Sequence, residues 1–188
     1  MSRIPRKLEK IEQEAMRLFG GKGVHAVSVR EIAEAAGAAE GTLYRHYTSK
    51  EEMARRLYQR ELGVFGENLR RIFSAPSDFQ SRLKEGITAF YDLFDRAPVV
   101  FNFIILLQHN FSTLAVLEKD RNPKHIVVAF VKRGMDAGVF HKRDPEITGA
   151  MIYGIVLQPV VVRLYNRISG DMSAHAETVY QACMRVLQ

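Results

Sequence analysis

Residues 28–50 read Ser-Val-Arg-Glu-Ile-Ala-Glu-Ala-Ala-Gly-Ala-Ala-Glu-Gly-Thr-Leu-Tyr-Arg-His-Tyr-Thr-Ser-Lys, and this stretch constrains the fold most tightly. Val29, Ile32, Ala33 and Ala36 fall at i, i+3, i+4 and i+7, the buried stripe of one helix. Ser28 and Glu31 form a capping box at its start, and Gly37 ends it with a residue free to take positive φ. In the second helix Leu43 and Tyr47 are i, i+4 partners facing inward, which turns Gly41, Thr42, Arg45 and the flanks of Tyr44 and His46 outward. Two short helices sharing such a turn make the unit that lays its second helix in the major groove of DNA.

Helical periodicity extends over the rest of the chain. A first helix from about Pro5 carries Ile4, Leu8, Ile11, Ala15, Leu18 and Phe19 until Gly20-Gly21-Lys22-Gly23 breaks it. Ser49 and Glu52 predict a second capping box, opening a long helix through Phe73. Asp78 caps a fifth helix, and Asn122-Pro123 and Asp144-Pro145 each place a cap before a proline at the first helical position. The segment Val99 to Asn110 is apolar nearly all round, which predicts a place at the centre of a second domain. The helix from Asp144 is expected to kink at Pro159, and a last helix follows Gly170. The expected architecture is all-α with about nine helices: a helix-turn-helix domain over 1–48, a connecting helix over 49–75, and a larger helical domain over 76–188.

Charge and cysteine usage narrow the class. Residues 1–60 hold 12 Lys/Arg against 8 Asp/Glu, whereas 61–188 hold 15 against 13, so the excess positive charge is concentrated in front and suits a polyanion. Arg3, Arg6, Lys7 and Lys10 crowd the start of the first helix, where cations oppose the helix dipole, and read as a phosphate-seeking arm. Cys183 stands alone and the six histidines are scattered, so neither a disulfide nor a zinc site is expected. No signal peptide or membrane span is read, and a cytoplasmic protein is expected. There is no Gly-x-Ser-x-Gly, no P-loop and no carboxylate pair with a rationale, so neither an enzyme nor a cofactor is expected.

The pattern Ile32-Ala33 with Ala36-Gly37, then Gly41-Thr42-Leu43-Tyr44 with His46-Tyr47, then Ser49-Lys50-Glu51 closely resembles the DNA-binding domain of the TetR family of bacterial transcription regulators. The resemblance runs from about Leu8 to Leu57, and beyond Glu61 it is one of helical layout only. It implies that Thr42, Tyr44, His46 and Lys50 occupy DNA-contacting positions and that Arg30 occupies one that reaches a base, with guanine O6/N7 as the bidentate partner. The expected DNA-facing set is Ser28, Arg30, Glu40, Gly41, Thr42, Tyr44, Arg45, His46 and Lys50. Two residues depart from the family pattern's usual chemistry. Ala39 forgoes a recognition-helix cap worth ~1 kcal/mol, and Glu40 suits the dipole but repels phosphate unless it accepts from a cytosine amine.

The resemblance further implies a homodimer on a pseudopalindromic operator and a small-molecule effector, apolar or aromatic, that changes the separation of the two DNA-binding heads. A dimer interface is expected from Gly149, Ala150, Met151, Gly154, Ile155, Val162, Met172, Val179 and Cys183, small and apolar residues on the last two helices. The expected effector pocket comprises Tyr91, Phe94, Phe103, Leu107, Gln108, His109, Phe130, Tyr153 and Gln158, with Gln108 and His109 as polar anchors and Phe101 and Phe111 nearby. The alternative reading is an effector-independent architectural or cell-division factor built on the same DNA-binding domain.

Overall fold

The computed structural model describes residues 6–107 and 121–188, except for the side chain of Leu106. Arg3, Ile4, Gln108, His109 and Phe111 lie outside the described residues. In chain order the helices are α1 (Arg6–Lys22), α2 (Val29–Ala36), α3 (Glu40–Tyr44), α4 (Lys50–Phe73), α5 (Phe79–Arg96), α6 (Pro98–Leu107), α7 (Pro123–Asp136), α8 (Pro145–Leu164) and α9 (Ala176–Leu187). A 3-10 turn, Met172–His175, precedes α9, so the last α-helix begins four residues later than Met172. The described residues contain no strand.

Local chemistry explains most helix ends. The Asp78 carboxylate accepts from Ser81 N, the Asn122 side chain from Lys124 N, and Asp144 from Glu146 N and Ile147 N, with Pro123 and Pro145 inside the first turns. These acceptors satisfy amides that have no partner within the helix. The start of α4 differs from the predicted reciprocal box. Ser49 Oγ accepts from Glu52 N at 3.0 Å, but the Glu52 carboxylate turns to the amide and hydroxyl of Thr48, at 2.6 and 2.7 Å. Helix α8 continues through Pro159 to Leu164.

The chain forms two compact units. The described part of the first comprises residues 6–61 and 99–107, and that of the second comprises 62–98 and 121–188. This division departs from the expected bounds, because α6 falls in the first unit, against α1. Gly20 is the reason. A Cβ there would lie 2.9 Å from the backbone N of Phe103 and 3.1 Å from its Cα, so only glycine allows α6 to approach α1 this closely. Asn102 Nδ2 donates to Gly20 O at 2.7 Å, and the rings of Phe19 and Phe103 lie 6.3 Å apart. Gly20 and Gly21 therefore do not break α1, which runs to Lys22. Around this contact Ile11, Ala15, Phe19, Ile32, Leu43, Met53 and Leu57 are buried as the core of the first unit.

In the second unit, Phe73 and Phe130 stack at 4.0 Å, with Phe79 and Phe140 closing around Phe130. The Asp95 carboxylate accepts from Met172 N and Ser173 N at 2.8 and 2.9 Å, pinning the 3-10 turn to α5. Gly149 lets α8 press on α7, since a Cβ would stand 2.7 Å from Val128 Cγ2.

Candidate nucleic-acid interface

The helix-turn-helix is assembled by its caps. Ser28 Oγ accepts from Glu31 N at 3.1 Å while the Glu31 carboxylate accepts from Ser28 N at 3.0 Å and from Lys22 Nζ at 2.9 Å. Those hydrogen bonds, led by the Ser28 amide, pull the Glu31 carboxyl from its ordinary 4.5 down to about 2. At the other end Gly37 takes φ 62°, where an L side chain is strained, and the amide of Ala38 reaches back to Ala33 O at 2.8 Å. Helix α3 starts at Ala39 without a side-chain cap, as its sequence predicts.

Leu43 is the buried residue of α3, and Tyr47 is buried just beyond its end. Glu40, Gly41, Tyr44, Arg45 and His46 are exposed, with Tyr44 56% accessible, and Thr42 is half-buried. Arg30 projects from α2 with its side chain 76% exposed, and its Nε donates to Glu34 at 2.8 Å; that hydrogen bond raises the guanidinium pKa and keeps the charge in place. The Ser28 hydroxyl is engaged in its cap. Lys50 sits differently from a free surface lysine. Its ammonium donates to Val27 O at 2.7 Å and His25 O at 3.1 Å, tying the start of α4 to the loop before α2.

Buried Glu12 and Tyr47 and half-buried Arg60 form a polar cluster that sequence reasoning missed. The Glu12 side chain is only 5% exposed, and it accepts from Tyr47 Oη and Arg60 Nη1, each at 2.5 Å. A signal was present, since Glu12 falls at i with Ala15, Met16 and Phe19 at i+3, i+4 and i+7 on the buried face.

Among the described residues, those expected to line an effector pocket fall in different places. Phe103 and Leu107 are buried in the first unit, so both leave the pocket set. Phe94 lines a separate cleft with Asp95, Pro98 and Arg163, Phe130 is stacked in the aromatic core, and Gln158 is exposed on α8. The second unit instead holds an apolar cavity of about 50 Å³. Phe65, Leu69 and Phe73 of α4 form one wall, with Phe90 of α5, Val127 of α7 and Tyr153 of α8 among the others. Among the described residues Tyr153 is the single expected one on its lining, while the Tyr91 hydroxyl donates to Val156 O at 3.1 Å. These lining residues come from four helices, and nothing in their local sequence distinguishes them from ordinary core.

The expected dimer residues separate into two groups. Gly149, Met172, Val179 and Cys183 are buried within the protomer, and burial pushes the Cys183 thiol up to about 12. Ala150, Met151 and Gly154 are exposed on α8, and Ile155 and Val162 are half-buried there. With Ile147, Gln158 and Tyr165 they form a seam at helical spacing that is mostly apolar. By length and composition α8 is apolar enough to cross a membrane, yet only 22% of its apolar window is buried within the chain.

Comparison with known proteins places this geometry. The family model described as bacterial regulatory proteins, tetR family, matches residues 11–57. The chain is 31% identical over 81 residues to the HTH-type transcriptional activator FasR of Mycolicibacterium smegmatis, a match covering 43% of this chain and 37% of that protein. It is 25% identical over 169 residues to the HTH-type transcriptional repressor KstR2 of Mycobacterium tuberculosis, covering 85% of this chain and 81% of the repressor. The solved structure of the transcriptional regulator FadR from Bacillus subtilis in complex with stearoyl-CoA has the same fold, with a TM-score of 0.75 at 18% identity over 96% of this chain and 100% of that one. Residues 11–57, the capped helix-turn-helix with its flanking helices, thus carry the match to the tetR family of bacterial regulatory proteins, and the chain as a whole shares the fold of FadR.

Proposed function

We propose that this protein is a sequence-specific transcriptional regulator that binds a pseudopalindromic operator as a homodimer and is released from it by a small-molecule effector with an apolar or aromatic portion. The exposed outer face of α3, carried on a capped helix-turn-helix, is the observation that bears most weight. Arg30, Thr42, Tyr44, Arg45 and His46 supply donors and a methyl group for base edges and phosphates, and Glu40 faces the same way. A Cβ at Gly41 would meet nothing within 4 Å in the protein, so the missing side chain suits the close approach of an external backbone. Lys50 acts from behind, holding the loop before α2, with the Glu51 carboxylate 3.9 Å from its ammonium.

The seam on α8 supports the dimer. Met151 is 41% exposed, Ile147 62% and Tyr165 73%, and a second copy of α8 against them would remove this apolar surface from water. Two copies of α3 then read half-sites about 34 Å apart, one turn of DNA.

The apolar cavity is the effector site in this reading. At about 50 Å³ it is smaller than the ~300–1,000 Å³ of sites for drug-sized ligands, so a ligand must open it. Three of its lining residues, Phe65, Leu69 and Phe73, belong to α4, so opening displaces the helix whose first turn Lys50 and Ser49 anchor beside the helix-turn-helix. A long acyl chain fits this chemistry, in line with the stearoyl-CoA bound to FadR. Gln108 and His109, the expected polar anchors for such a ligand, lie outside the described residues.

Two linked measurements test the reading. Selection of bound duplexes from random genomic fragments should return a pseudopalindrome, and stearoyl-CoA should weaken binding to it. By linkage, operator must weaken stearoyl-CoA binding by the same factor. Binding at many dispersed sites with no response to any acyl-CoA favours the architectural alternative.

A further inference from the structure

Helix α3 has only five residues, buries Leu43 and lacks a side-chain cap at its start. A helix of that length has no stability of its own, so its orientation is imposed from outside. At its C-terminal end the amides of His46 and Tyr47 both donate to Leu43 O at 3.0 Å, which makes Tyr47 a direct extension of α3. The Tyr47 hydroxyl donates to one oxygen of Glu12 on α1, and Arg60 on α4 donates to the other. Burial and the Glu12 carboxylate raise the phenol pKa, so the hydroxyl remains the donor. The guanidinium of Arg56, held at 2.7 Å by Glu52, lies 5.8 Å from the centre of the Tyr47 ring. Arg60 completes its own pairing with Glu61 at 2.9 Å.

An apolar trio of similar size would fill this space without burying a carboxylate, a step that is costly unless the charge is fully paired. What an apolar trio lacks is direction, because it tolerates sliding where a carboxylate holding two donors at 2.5 Å does not. We propose that Glu12, Tyr47 and Arg60 are positioning residues that set the tilt of α3 on DNA and tie it to α4 at Arg60. The proposal rests on the reading of the chain as a sequence-specific DNA-binding protein. None of the three needs to touch DNA. Their effect falls on base reading, which requires a fixed helix, and spares the electrostatic attraction to any duplex.

The test compares affinity for the selected operator with affinity for a scrambled duplex of equal length at one salt concentration. Tyr47→Phe removes the hydroxyl alone and is expected to lower the operator-to-scrambled ratio about five- to tenfold, with scrambled-duplex affinity unchanged. In a Glu12→Leu background the same substitution should have no further effect, because its partner is gone. Should Glu12→Leu fail to fold, Arg60→Lys carries the test: it keeps the charge, loses the planar fork, and is expected to lower the ratio without lowering the melting temperature. A Tyr47→Phe protein with a reduced melting temperature but an unchanged ratio overturns the proposal, as does an equal effect of Tyr47→Phe with and without Glu12. A wild-type protein with no operator preference overturns the underlying DNA-reading function itself, a result distinct from either variant outcome.

Discussion

Replacing Gly20 and Gly21 separately by alanine gives opposite changes in stability, although the two are neighbours in one helix. Alanine is preferred over glycine inside a helix by up to ~1 kcal/mol, because it restricts the unfolded chain and exposes less backbone. At Gly21 a Cβ meets nothing within 4 Å, so that gain is expressed and the protein is stabilised. At Gly20 the Cβ would lie 2.9 Å from Phe103 N and 3.4 Å from Asn102 C, and these are backbone atoms that cannot rotate away. Helix α6 must move, at ~1–3 kcal/mol for overpacking, and the 2.7 Å bond from Asn102 to Gly20 O weakens, at ~1 kcal/mol. The net expectation for Gly20→Ala is a loss of ~1–3 kcal/mol, so the two variants should differ by roughly 2–4 kcal/mol. Urea unfolding at fixed protein concentration measures this as a shift in midpoint at constant slope. Equal stabilisation by both substitutions would refute the close approach of α6 to α1.

Arg30→Ala should relax the preference at one base pair in each half-site, with a loss of ~1–3 kcal/mol measured by competition among single-base operator variants; an unchanged base pattern removes Arg30 from base reading. Lys50→Ala should weaken binding to operator and scrambled DNA alike and lower stability by ~2 kcal/mol, since two charge-assisted hydrogen bonds to His25 O and Val27 O are lost. Met151→Glu places a charge in the α8 seam and should shift the protein from dimer to monomer in sedimentation, with operator affinity falling in parallel. The Glu31 carboxyl, lowered from 4.5 to about 2 in the folded protein, favours the native state fully above pH 4.5, and that contribution is lost as pH falls from 4.5 toward 2. Glu31→Gln should therefore flatten this part of the melting-temperature profile, and an unaltered acid limb would contradict the assigned capping bonds.

The features legible in the sequence are those whose cause lies within a few residues. The Ser28–Glu31 box, the positive φ at Gly37, the inward pair Leu43 and Tyr47, and the caps at Asp78, Asn122 and Asp144 each follow from side chains and amides one turn apart. The helix-turn-helix and the all-α class were readable for that reason. Tertiary structure alone decided what depends on distant partners. Gly20 reads as a breaker until Phe103, far along the chain, crosses it, and that crossing assigns α6 to the first unit. Lys50 reads as a free cation until the carbonyls of His25 and Val27 come within its reach. Apolar periodicity marks the buried face of a helix but not the neighbour that buries it. Hence Gly149 and Cys183 were indistinguishable from Met151, and core aromatics such as Phe130 from the Phe65 and Phe90 that line the cavity. Only packing among four helices, set by long-range contacts that local pattern does not encode, could separate them.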